Sequence, residues 1–276
     1  MKKKGIGSYV VEWADSRGYI LSKLNRLYFS ADLNPPYRFI GAFPAPLLQR
    51  ILARNRVAQR ALRFMYYNVI GITPDCVFVT FQKSLGVFEN GEFSVIFGQL
   101  RPSKVLRGGC ALDDRGGIYL GEYFSNDTRH EVNVYYLAPD SHKLEVVHVF
   151  EPGAIRHIHG LHFDPYEKHV WVVTGDRGSE CRILRTKDHF KTLEVVGQGD
   201  ETWRAVCMVF RKDAFYYATD AEFQQNHVRK IDRKTLESSA LFEVDGPVYY
   251  AKDTSDHIFF GSTAEGAEIQ KQNRAC

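Results

Sequence analysis

Between residues 157 and 199 the apolar positions fall into four short runs, each closed by turn chemistry. Residues 159–163 alternate apolar and polar and stop at Asp164-Pro165. Residues 170–174 are β-branched and aromatic and stop at Gly175-Asp176. Residues 181–185 alternate into a polar turn at 186–191, and 193–196 close at Gly197. Apolar runs this short, punctuated this often, predict one four-stranded antiparallel unit. A sheet of that kind buries its faces only against others like itself, so the pattern should recur.

It does recur. RAVCMVF, AFYYATD, NHVRKID and SSALFEV follow Trp203; GCALDDRGGIYLGEY and VNVYYLAPDSHKLEVVHVF precede the unit, and GPVYYAKDTSDHIFFGSTAE comes last. Aligning the second strand of each unit places Glu122, Asp176, Asp220 and Glu265 at equivalent ends, 54, 44 and 45 residues apart. A strand-only repeat of this length predicts an all-β fold, a single β-propeller of about six blades over 1–276. The blades are expected at about 9–43, 67–98, 109–150, 159–199, 203–244 and 247–264, the last incomplete and the ring closed imperfectly or continued beyond the sequence.

One segment breaks the strand period. Within 46–65, Leu47, Leu48, Ile51, Leu52, Ala58, Ala61 and Leu62 recur at threes and fours, with Arg50, Arg54, Arg56, Arg60 and Arg63 largely between them. This predicts an amphipathic helical insertion with Pro46 near its first turn. It reads as a helix packed on the propeller with a solvated arginine face, or as a basic contact for an anionic partner or membrane surface.

Composition narrows the class. The 276 residues are 44% hydrophobic and 13% aromatic, enough for a substantial core. The net charge of +3 does not point to nucleic acid, although 33–74 holds no acidic residue. The five cysteines are an odd number with no CxxC pair, and are expected as thiols in a reducing compartment. The start, MKKKGIGSYVVEWADSRG, has no apolar signal core, and no apolar run reaches membrane-spanning length. A cytoplasmic location is the expectation. No GxGxxG or Walker pattern occurs, and Ser125 and Ser262 have no identifiable histidine partner.

The turns carry a family resemblance. Thr186-Lys187-Asp188-His189-Phe190-Lys191-Thr192-Leu193 resembles the Asp-box (Ser/Thr-x-Asp-x-Gly-x-Thr-Trp) of BNR-repeat propellers. Thr186, Asp188 and Thr192 match; Phe190 replaces the glycine and Leu193 the tryptophan. Ser30, Asp32 and Tyr37 form a second, weaker copy. The resemblance implies a hairpin-capping role for these residues, between a blade's third and fourth strands. It extends to the sialidase scaffold and to uncharacterised bacterial WD40-like propeller proteins, some associated with polysaccharide gene clusters. Sialidase catalytic residues are not carried over: an Arg-Ile-Pro segment and a placeable arginine triad are both lacking.

Propeller geometry brings the residue before each innermost strand and the residue ending the second strand to one face. The first class supplies Arg107, His157, His159, Trp203 and Arg204. The second supplies Glu122, Asp176, Asp220 and Glu265, with Lys83 at a similar place. Three readings compete. The acids cap turns and pair with cations. Or carboxylates and Trp203 grip a saccharide, with Arg107 or Arg204 on an anionic group. Or His157 and His159, two apart on one strand face, join Asp176 or Asp220 as ligands of a divalent metal ion or as a proton-transfer pair. His162, on the opposite face from His157, reads as structural. The expected function is saccharide binding, with hydrolysis of a glycoside-hydrolase rather than sialidase kind open; the alternative is a protein-interaction scaffold in a glycan-related pathway.

Overall fold

The structure, a computed structural model, describes residues 6–15, 17–52, 67–72, 76–81, 84–98, 109–139, 141, 143–254 and 256–263. The chain forms two compact units, 1–103 and 104–276. Both are built from antiparallel sheets whose strands follow one another in chain order.

The first unit holds two four-stranded sheets. One is β1 (Val10–Asp15), β2 (Gly18–Lys23), β3 (Arg26–Ser30) and β4 (Arg38–Ala42); the other is β5 (Tyr67–Ile72), β6 (Cys76–Phe81), β7 (Ser84–Glu89) and β8 (Glu92–Phe97). Their facing sides bury Ile20, Leu27, Phe43, Val79 and Phe88 in one cluster. Between the sheets in sequence, α1 (Leu47–Leu52) opens where the apolar period predicts a helix. The expected continuation through 65 lies outside the described residues. Leu47, Leu48 and Ile51 are exposed, so this first stretch does not bury its apolar side chains.

Among the described residues, the second unit holds three four-stranded sheets and a two-stranded one. They are β9 (Cys110–Leu112), β10 (Ile118–Gly121), β11 (Val132–Leu137), β12 (Leu144–Phe150); β13 (His157–Phe163), β14 (Val170–Gly175), β15 (Arg182–Thr186), β16 (Glu194–Gln198); β17 (Ala205–Phe210), β18 (Ala214–Thr219), β19 (Asn226–Asp232), β20 (Ser238–Val244); and β21 (Val248–Asp253), β22 (Ile258–Ser262). Apolar layers join neighbours. Ile158, Leu161, Val172 and Tyr119 fill the first, while Trp171, Ile183, Phe215 and Tyr217 fill the second. Trp171 is fully buried with its ring centroid 4.4 Å from that of Phe215. Burial of this aromatic and aliphatic area is the main force holding the sheets together.

The sheets repeat their irregularities as well as their strands. The first strand skips a residue against its partner at Glu12 in β1, Ile70 in β5, His159 in β13 and Tyr249 in β21, and in β17 Val206 and Cys207 stand opposite the single residue Ala218. Bulges of this kind increase local twist and re-aim side chains. His159 therefore does not share a simple two-residue alternation with His157, as the sequence spacing implied. It is the extra residue of a bulge.

The third-to-fourth-strand turns are tied by side chains. Asp188 accepts from the Thr192 amide at 2.9 Å and the Thr192 hydroxyl at 2.7 Å, and Thr186 accepts from the Phe190 amide at 3.1 Å. Phe190 stands at φ +65 yet is buried against Tyr119, so core packing offsets the cost of that backbone conformation. Between β3 and β4, Ser30 accepts from the Leu33 amide and Asp32 from the Asn34 amide. Cys110, Cys181 and Cys207 form no disulfide. Burial pushes Cys110, Cys181 and Cys207 up to about 12, which keeps them protonated. No helix among the described residues is long and apolar enough to cross a membrane.

Candidate functional site

At one end of β13, β14 and β17 the strand termini bring a polar cluster together. His157 opens β13 and His159 is its bulged residue; Asp176 follows β14; Arg204 precedes β17 and Asp220 follows β18. Gly175 makes the packing possible. A Cβ there would stand 2.8 Å from the His159 ring and 3.0 Å from the Arg204 side chain. The Asp220 amide donates to the Arg204 carbonyl at 2.9 Å, closing the end of the β17–β18 pair.

Both histidines are buried and both use Nδ1 on a main-chain carbonyl. His157 Nδ1 lies 2.9 Å from the Phe124 oxygen and His159 Nδ1 lies 3.0 Å from the Ala205 oxygen. A carbonyl only accepts, so both Nδ1 atoms carry the proton. The two Nε2 atoms then face each other at 3.2 Å. They also face Asp176, with His159 Nε2 at 3.2 Å from Oδ1 and His157 Nε2 at 3.5 Å from Oδ2. The Tyr123 ring lies over His157 with centroids 4.2 Å apart.

The surrounding charges are paired. Arg156 holds Asp176 Oδ2 at 2.7 Å and reaches Asp127 at 2.7 Å. Arg204 bridges Asp220 at 3.2 Å, Glu201 at 3.3 Å and Asp176 at 3.4 Å. Glu201 also accepts from the amides of Glu222 and Phe223. Burial opposes ionisation of Asp176, but hydrogen bonds and charge from His157 and His159 hold its carboxyl far below the usual carboxylate range. Asp220 goes the other way: burial raises it, against the pull of Arg204. Burial, and then the charges of Asp176 and Asp220, raise the Tyr123 hydroxyl.

The sequence-predicted site residues divide accordingly. His157, His159, Asp176, Asp220 and Arg204 come together. Glu122 lies at the end of β10 but is turned into its own sheet, accepting from the Asn133 amide and the Tyr135 hydroxyl, each at 2.8 Å. Trp203 corrects an expectation. Its ring packs over Gly197, where an added Cβ would stand 2.3 Å from it, in the apolar layer between two sheets. It forms no part of the polar cluster. Lys83, Arg107 and Glu265 lie outside the described residues. His162 contacts the Val206 carbonyl at 3.0 Å and stands outside the cluster. Arg156, Tyr123 and Glu201 were missed. Arg156 sits one residue before His157, and a strand start placed one residue earlier would have found it.

His157, His159 and Asp176 each offer a donor atom, and these lie within 4.8 Å of one another. A second group, Asp164, Glu167 and His169, lies at the other end of β13. There Arg233 already holds both Asp164 oxygens, at 2.7 and 3.0 Å. In the first unit a separate cavity of about 340 Å³ is lined by Tyr9, Tyr28, Lys23, Arg26, Arg50 and neighbouring apolar residues.

No family model matches the chain, and no curated protein matches it. Several solved structures share its fold. An ancestral GH74 enzyme superposes with a TM-score of 0.60 at 12% identity, covering 95% of this chain and 36% of its own. A prolyl endopeptidase gives 0.57 at 13% identity, covering 92% and 39%. The extracellular domain of a putative one-component system from B. thetaiotaomicron gives 0.57 at 11% identity, covering 92% and 31%. The chain thus spans less than two fifths of the length of each. With its six antiparallel sheets, this likeness shows an all-β fold of the β-propeller type. At these identities it shows the fold alone.

Proposed function

We propose that the cluster around His157, His159 and Asp176 binds an oxygen-rich, saccharide-type ligand, and that it binds rather than hydrolyses it. The observation that carries the reading is the convergence itself: two imidazoles, a carboxylate, two guanidiniums and the Tyr123 ring meet at neighbouring strand ends. Guanidiniums and carboxylates grip hydroxyl and acidic groups in defined directions, and an aromatic ring offers a face to a sugar. The Arg156 and Asp127 side chains, 30% and 76% exposed, form the accessible edge. A GH74 enzyme among the fold neighbours is compatible with a carbohydrate ligand on this scaffold. Hydrolysis fits less well. Glycoside cleavage uses two carboxyl groups free to work as acid and base or nucleophile, whereas Asp176 and Asp220 are held by Arg156 and Arg204. A divalent ion on His157, His159 and Asp176 is the cofactor that this reading admits. The Asp188 and Asp32 turns are read as Asp-boxes with a folding role, remote from the ligand.

One observation favours the second reading, a non-catalytic interaction scaffold: Glu122, Asp176 and Asp220 are all bonded within the protein. The two part in a binding experiment. Calorimetry and thermal shift against neutral and acidic oligosaccharides should show saturable binding that Arg156→Gln and Tyr123→Ala weaken without changing the fold. If folded wild-type protein binds none of the panel, the saccharide reading falls and the scaffold reading stands.

A further inference from the structure

Within the site proposed above, four electron-rich atoms point at one small volume. The Nδ1 protons of His157 and His159 are committed to the Phe124 and Ala205 carbonyls. The two Nε2 atoms face each other at 3.2 Å, and face the two oxygens of Asp176 at 3.2 and 3.5 Å. His157 and His159 are 5% and 3% exposed, so the group is shielded from bulk water. Side chains able to ligate, gathered this closely and largely out of water, are a group that can hold a cation.

We infer that His157 Nε2, His159 Nε2 and one oxygen of Asp176 are the three protein ligands of a divalent transition-metal ion. Three features support a metal. The first is spacing. Ligands about 2.1 Å from an ion and roughly 100–110° apart stand about 3.2–3.4 Å from one another; the two Nε2 atoms stand 3.2 Å apart, His159 Nε2 stands 3.2 Å from Oδ1 of Asp176, and one donor atom from each of the three residues lies within 4.8 Å of the other two. The second is the outer layer. Metal-bound histidines characteristically donate their other ring nitrogen to a carbonyl or carboxylate, and ligating carboxylates are themselves hydrogen-bonded. Here both Nδ1–H groups reach carbonyls, and Arg156 and Arg204 hold Asp176. The third is charge. Asp176, Asp220 and Glu201 face Arg156 and Arg204, which leaves formal negative charge in excess for a cation to meet.

The donor set selects among ions. Two imidazoles with one carboxylate favour zinc, manganese, iron or nickel over magnesium and calcium, which prefer all-oxygen shells. Three protein ligands leave coordination positions open, as in catalytic rather than structural sites. An open position beside Tyr123 and Arg156 is where a hydroxyl or carboxylate of the ligand would bind. The inference rests on the saccharide reading for that last step only.

The test uses the full chain, stripped with a chelator and titrated with Zn²⁺, Mn²⁺, Mg²⁺ and Ca²⁺ by calorimetry. The expected result is one Zn²⁺ or Mn²⁺ per chain, bound more tightly than Mg²⁺ or Ca²⁺, and weakened by about tenfold or more in His159→Gln and Asp176→Asn. Because these variants alter a buried cluster, wild-type protein is also titrated with Co²⁺. A visible ligand-field band saturating at one equivalent, and displaced by Zn²⁺, supports the site independently of any variant. Absence of stoichiometric binding, leaving a proton as the only cation, overturns the inference; so does binding that folded variants leave unchanged. Oligosaccharide binding measured with and without chelator separates the two proposals. Saccharide binding without any metal site would sink the ion alone, and metal binding without saccharide would sink the saccharide reading alone.

Discussion

The two ends of β13 carry the same kinds of side chain and arrive at opposite results. Past its C-terminal end, Asp164 is fully buried, and the guanidinium of Arg233 binds both its oxygens while lying over the Phe215 ring at 4.1 Å. Both Asp164 oxygens are satisfied there, and the pair ties the β13–β16 sheet to the β17–β20 sheet. At the N-terminal end, arginines again hold a carboxylate, but the Nε2 atoms of two imidazoles also stand beside it, 3.2 Å from each other. Acids and cations in proximity do not by themselves make a site; at this end two ring nitrogens, turned onto the same carboxylate by main-chain carbonyls, add the ligating atoms.

The largest expected effects attack the paired charges at both ends. Arg233→Ala leaves Asp164 buried without its partner, and Arg204→Ala does the same to Asp220. Each should cost about 3–5 kcal/mol in denaturant unfolding. Only Arg204→Ala should also weaken ligand or metal binding. If Arg233→Ala weakened binding equally, the contrast between the two ends would be lost.

A smaller effect is expected from Gly175→Ala. The added methyl meets the His159 ring and should cost about 1–3 kcal/mol while displacing His159 from its partners. Metal affinity should fall further than stability alone explains, as read by calorimetry on protein confirmed folded by circular dichroism. An unchanged affinity would argue that His159 is not held in place by this contact.

The third prediction concerns pH. Burial lowers His162 to about 4 from its ordinary 6.5, so the folded state resists its protonation and the unfolded state does not. Its contribution is present above about pH 6.5 and is lost as pH falls toward about 4. Melting temperature should decline over that window, and His162→Gln should flatten the decline. An equal slope in the variant would assign the loss to other groups. The smallest effect is expected from Asp188→Ala, which frees the Thr192 amide and hydroxyl from the β15–β16 turn. It should lower the melting temperature slightly and leave binding unchanged.

The strands were legible because their apolar runs are short and end in strong turn residues, as at Asp164-Pro165 and Gly175-Asp176. Aligning strand ends also brought His157, His159, Asp176, Asp220 and Arg204 together before any coordinates. The failures have local causes. Trp203 lies beside Arg204 in sequence, but it belongs to a short 3-10 turn, Glu201–Trp203, that swings its ring onto Gly197 and away from the strand ends. The bulge at His159 leaves no mark in an alternation pattern, since an extra residue in a strand resembles a slip of register. The tautomers of the two histidines depend on carbonyls 33 and 46 residues away in sequence, which no local pattern encodes.

The most direct measurement is the long-range proton–nitrogen spectrum of the histidine rings in metal-free protein, held at about pH 8 where a free imidazole is neutral. The account predicts that His157 and His159 both carry their proton on Nδ1 and present bare Nε2 atoms, and that one equivalent of Zn²⁺ shifts those two nitrogens. A proton on Nε2 of either ring, or a Zn²⁺ response confined to other histidines, would contradict it.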